Sequence, residues 1–114
     1  MVNDKIAAVR RALEETESEY AQMPMVVRLM VRRGFVKRTG RDFAAWRALL
    51  DAAARGVPSP QLGVALGQLA EHYRGAPARA RRGMGATPAQ IEVVEQRSQA
   101  RAEAAEALRA ALAS

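Results

Sequence analysis

Thr39-Gly-Arg-Asp-Phe-Ala-Ala-Trp-Arg-Ala-Leu-Leu-Asp-Ala-Ala-Ala-Arg-Gly56 carries a start signal, an apolar face and a stop signal for one helix. Thr39 and Asp42 have the spacing of a capping box, with Thr39 as N-cap and Asp42 at the third helical position, where a carboxylate also complements the helix dipole. Phe43, Trp46 and Leu50, together with Leu49, fall on one side and form the heaviest apolar face in the chain. Gly56 follows the last basic residue, Arg55, as a helix stop does. Such a face needs other helices to cover it.

Toward the N-terminus, a helix is expected from an Asn3 cap to about Ala21, with Ile6, Val9, Leu13, Thr16 and Tyr20 as one apolar stripe. Pro24 suits the first turn of a second helix, Met25 to Arg33, which Gly34 can end in a left-handed conformation. That segment is apolar nearly all round. Only Arg28 and Arg32, one turn apart, and Arg33 beside them interrupt it, so it is expected to be buried with its basic stripe showing. A Val-rich hairpin over residues 26–37 is the alternative.

Toward the C-terminus, Val57-Pro-Ser-Pro-Gln61 reads as a turn in which Ser59 caps and Pro60 opens the next helix. Leu62, Leu66, Leu69 and Tyr73 then recur at 4-3-4 spacing as far as Gly75. Residues 75–86 hold three glycines, a proline, three arginines and no large apolar residue except Met84, which predicts a flexible basic linker. Thr87-Pro88-Ala-Gln90 starts a final helix over residues 87–113. Its heptad-like stripe of Ile91, Val94, Ser98, Arg101, Ala105, Leu108 and Leu112 is small or charged in the middle. It is therefore expected to pack firmly at its ends and loosely between, or to wait for another chain.

Alanine supplies 25 of 114 residues, and strand-favouring residues are scarce. The expected fold is all-α: a single domain over residues 1–114, a small bundle of about five helices with a flexible basic linker before a long C-terminal helix. With no cysteine there is no disulfide framework or thiolate metal site, no cofactor is expected, and a cytoplasmic protein is the simplest reading. The N-terminal residues lack the apolar region of a secretory signal. The longest apolar run, Met23 to Val31, is broken by Pro24 and Arg28 and falls far short of the ~20 residues that span a bilayer, so no membrane is expected among the partners.

Charge points to a partner of another kind. Between Gln22 and Ile91 there are twelve basic residues and three acidic ones, whereas residues 1–21 and 92–114 are slightly acidic. Arg28, Arg32, Arg33, Lys37, Arg38 and Arg41 form one cluster, and Arg79, Arg81 and Arg82, following Arg74, form a second. Separated charge of this kind is the footprint of a polyanion, so the first expectation is a nucleic-acid-binding protein that grips DNA or RNA phosphates through these residues. The stretch from Arg55 to Leu66 resembles a helix-turn-helix only in part: two prolines crowd its turn, and an ordinary helical hairpin accounts for the same residues. An enzyme is not expected, because His72 is the only histidine and no serine has a His and carboxylate nearby in sequence. The second expectation is a protein–protein module whose terminal helices drive oligomerisation and whose basic centre meets an acidic protein.

Overall fold

Six helices make up the computed structural model, which describes residues 2–83 and 85–114: α1 (Val2–Ala21), α2 (Met25–Thr39), α3 (Phe43–Ala54), α4 (Leu62–Arg74), α5 (Ala76–Arg82) and α6 (Pro88–Ala113). Five have twelve residues or more, α5 has seven, and no strand occurs among the described residues. The all-helical expectation and the long C-terminal helix are therefore both met. The core joins Ile6, Val9 and Leu13 of α1, Phe35 of α2, Trp46 and Leu50 of α3, Leu62, Leu66 and Leu69 of α4 and Leu108 of α6. The most extensive helix pair is α4 with α6, followed by α1 with α6.

Several local readings need correction. Asn3 lies inside α1, which already includes Val2. α2 is neither a hairpin nor a helix closed at Gly34; it runs through Gly34 to Thr39, and Gly40, at φ +82°, supplies the left-handed cap, its N–H donating to the Val36 carbonyl at 2.7 Å. The Thr39 capping box does not form. Asp42 is itself the N-cap of α3 and accepts from the Ala45 N–H at 2.8 Å. Thr39 sits fully buried in the last turn of α2, where its hydroxyl bonds the Phe35 carbonyl at 2.9 Å and accepts from Trp46 Nε1 at 3.2 Å. An indole N–H cannot be buried cheaply without such a partner.

Phe35 and Thr39, the two buried residues of α2, set its rotation about its axis. Phe35 stacks on Phe43 at 4.2 Å and meets His72 edge-on at 5.0 Å. Positions three, four and seven residues away share its face, so Arg28 and Arg32 turn inward and become half-buried. The expected orientation is thereby reversed: Met25, Val26, Val27, Leu29 and Met30 are exposed, and part of the basic stripe is covered.

α4 begins at Leu62, not at Pro60; Ser59 Oγ accepts from the Gln61 N–H at 3.2 Å within the preceding turn. α3 packs mainly on α1 and α4 mainly on α6, so residues 55–66 join helices with different partners and do not close a helical hairpin. The stretch read as a linker carries α5, which packs along α6. Pro77 favours a helical start there, and an Arg81–Glu95 ion pair ties α5 to α6 without any large apolar residue. Met84, included in that reading, lies outside the described residues.

α6 also packs differently from its stripe. Ser98, Ala102, Ala105 and Leu108 are buried, whereas Ile91 and Val94 toward its start are only half-buried. Small side chains in the middle of α6 let it lie close against α4, so the apparently weak stretch is the buried one. The Thr87–Gln90 capping box is present at its N-terminus. Arg101 reaches across to α1 and holds both carboxylate oxygens of Glu19, at 3.0 and 2.6 Å. On the other side of α1, Arg10 pairs with Asp51 at 2.6 Å and Glu17 with Arg47 at 2.7 Å, joining α1 to α3.

Candidate nucleic-acid interface

Most arginines outside the middle of the chain are spent on carboxylates, and most inside it are not. Among the described residues, only Arg47, Arg74 and Arg81 of the twelve central basic side chains are in ion pairs, leaving nine without one. Where those nine sit decides whether the two clusters make one site.

They meet at His72, on the last turn of α4. The residue is 2% exposed, its ring enclosed by Phe35 and by Tyr73 at 5.2 Å between ring centres. Arg38, from the end of α2, donates from Nε to His72 Nδ1 at 3.0 Å. Arg79, from α5, donates from Nη2 to the His72 carbonyl at 2.7 Å and lies 3.4 Å from the same Nδ1. Nδ1 is thus an acceptor and the ring proton resides on Nε2. Burial, followed by the charges of Arg79 and Arg38, pushes the His72 pKa down to about 3, which keeps the ring neutral at physiological pH. For Arg79, burial and then the Arg38 charge lower the pKa, with Arg82 acting in the same direction. Two cations from sequence-distant clusters therefore share one neutral acceptor with no carboxylate in ion-pair contact.

Local sequence makes room for this. A side chain at Gly34 would place its Cβ 2.6 Å from Arg38 Nη2, and one at Gly75 would come within 2.7 Å of Arg79 Nη1. Each guanidinium folds back over a glycine four residues earlier on its own chain, in Gly34-Phe-Val-Lys-Arg38 and Gly75-Ala-Pro-Ala-Arg79. Beside the pair, a groove of about 530 Å³ is lined by Arg38, Gln68, His72, Arg74, Glu106 and Arg109 among others, and it opens the site toward α6.

The remaining site residues are dispersed. Arg33 and Lys37 are exposed on the outer side of α2, and Arg82 is exposed on α5, one turn beyond Arg79. Arg28 Nη1 donates to the Ala21 carbonyl at 3.3 Å, a favourable position for a cation at the C-terminal end of α1. Arg32 lines a groove with Glu17, Phe35 and Asp42. Arg41 lies over the Trp46 ring at 5.3 Å, with one buried guanidinium nitrogen that has no hydrogen-bond partner. Arg81 is held by Glu95 and faces α6. The structure thus brings together Arg38 and Arg79, leaves Arg82 near Arg79 on α5, and turns Arg28, Arg41 and Arg81 to other tasks. His72, which was not among the expected site residues, is the group that joins the clusters; the repeated glycine four residues before an arginine was the available signal.

No group of three or more metal-binding side chains occurs among the described residues, and no helix is long and apolar enough to cross a membrane. Comparison with protein-family models, with curated proteins and with solved structures yields no match, and the functional reading rests on this geometry.

Proposed function

We propose that the chain is a non-enzymatic nucleic-acid-binding protein that grips phosphates, with Arg38, Arg79 and Arg82 as the centre of the site and Arg33 and Lys37 as flanking contacts. The observation that carries the reading is the convergence of Arg38 and Arg79 on neutral His72 with no paired carboxylate. Two guanidiniums this close repel each other until an anion lies between them, and a phosphate oxygen accepts from forked donors on both sides. The groove beyond Arg38 leaves room for a strand to continue past Arg74 and Arg109.

A module that oligomerises through its terminal helices has less support, because Ile6, Val9 and Leu13 of α1 and Ala105 and Leu108 of α6 are already buried within the chain.

Fluorescence anisotropy with single- and double-stranded DNA and RNA, at low and physiological salt, tests the proposal. Arg38→Gln and Arg79→Gln keep a donor near His72 but remove the charge. Each should weaken binding several-fold and reduce the salt slope by about one. No binding to any of these ligands at low salt would refute it.

A further inference from the structure

The outer surface of α2 is unusual for a chain whose other helices bury their apolar stripes. Met25 and Met30 are each 67% exposed, Val26 69%, Leu29 53%, Val27 43% and Val36 40%. Together they give the outer side of α2 an exposed apolar surface of the kind that marks a protein or membrane contact. With 3.6 residues per turn, Met25, Val26, Val27, Leu29 and Met30 cover about 200° of the helix circumference. Arg33 and Lys37 follow Val26 and Met30 by seven residues each, so they lie on the same outer side about 10 Å further along the axis. From Gln22 to Arg41 there are six basic residues and no acidic one.

Charge and shape narrow the occupant. A second copy bound through α2 would set one acid-free cationic helix against another. A partner helix needs a narrow stripe to pack against, whereas here the apolar surface wraps more than half of the first two turns. A fluid acyl layer accepts apolar surface on every side, and phosphate groups just above it accept the lysine and arginine ends. We propose that the outer face of α2 seats on an anionic phospholipid bilayer, with Met25, Val26, Leu29 and Met30 at the acyl boundary and Arg33 and Lys37 at the phosphates. With α2 lying flat, its apolar side chains sink ~5–10 Å to the acyl boundary, while the long stems of Arg33 and Lys37 on the same outer side carry their charges up to the phosphates. This goes beyond nucleic-acid binding: it shares Arg33 and Lys37 with that site but does not involve Arg38, Arg79 or Arg82. It also reverses the expectation that no membrane is a partner, which rested on the length needed to span a bilayer and on a buried α2.

Co-sedimentation with phosphatidylcholine vesicles containing one-third phosphatidylglycerol, compared with pure phosphatidylcholine, provides the test. The wild-type chain should bind the anionic vesicles and hardly bind the neutral ones. The combined variant Met25→Gln, Val26→Gln, Leu29→Gln and Met30→Gln keeps good helix formers in place and should bind at least tenfold more weakly, with an unchanged circular-dichroism spectrum. Arg33→Gln and Lys37→Gln should each cost roughly fivefold. Light scattering without lipid should give a monomer. Wild-type protein that stays in the supernatant with anionic vesicles overturns the proposal, as does equal binding by the four-glutamine variant. A wild-type dimer that this variant dissociates overturns it in favour of a second copy. Loss of vesicle binding in Arg38→Gln/Arg79→Gln, with the four-glutamine variant unaffected, would move the lipid contact to the His72 site and overturn it too.

Discussion

His72 is the only histidine in the chain, so its protonation can be followed without ambiguity. With its pKa pushed from 6.5 to about 3, the folded chain leaves it neutral where the unfolded chain would protonate it. Its contribution to stability is therefore complete above pH 6.5 and is lost as the pH falls toward 3. The slope rises toward about 1.4 kcal/mol per pH unit below pH 6.5, so the drop between pH 6.5 and 5 is about 1–2 kcal/mol. Urea unfolding at these two pH values should show it, and His72→Gln should flatten that part of the profile. An imidazole proton resonance that titrates near pH 6.5 in the native state would contradict the buried acceptor role. Gly34 permits a separate test. Its φ lies outside the left-handed region, so alanine suits the helix there, yet the new Cβ must push the Arg38 guanidinium aside. Gly34→Ala should raise stability by about 0.5–1 kcal/mol by thermal unfolding and weaken phosphate binding in the anisotropy assay. Unchanged affinity would separate Arg38 from the site.

Between elements, the decisive contact is α4 against α6, where Ala105 is fully buried. Ala105→Leu should cost about 1–3 kcal/mol by overpacking, measured by chemical denaturation. A neutral result would mean that the helices part easily. Helix existence was legible in the sequence because stripes such as Ile6-Val9-Leu13 and Leu62-Leu66-Leu69-Tyr73 depend only on local periodicity. Ends were less so. Gly34 carries a stop signal that the helix overrides, and Thr39 has a capping sequence but is claimed by Trp46 within the core. α5 was missed because its hold comes from Glu95 and His72 and not from apolar residues of its own. In the candidate site, the basic residues could be named from sequence, but their meeting could not, since the Arg38–His72 contact spans 34 residues of chain. The rotation of α2 was likewise set by Phe35 and Thr39 acting across helices, which no local pattern reveals.

Across the whole molecule, α6 is about 39 Å long, close to the 44 Å longest extent of the fold, and α1 packs against it. Positive charge concentrates on α2 and α5, while the carboxylates of α1 and α6 are largely engaged with arginines. Nucleic-acid affinity should therefore fall steeply with salt, and the slope of log affinity against log salt should report the number of phosphates gripped; a flat slope would rule out charge as the source of binding. Arg101, with its side chain 11% exposed, ties α6 to Glu19 across 82 residues of chain. Arg101→Ala should destabilise by about 1–3 kcal/mol, read from the urea midpoint. The pairing of α1 with α6 also has a consequence for synthesis. Ile6, Val9 and Leu13 leave the ribosome about a hundred residues before Leu108, which at roughly 5–20 residues per second is a wait of about 5–20 s. Throughout that interval α1 has no complete place to dock, and its stripe must be kept from other nascent chains until α6 arrives.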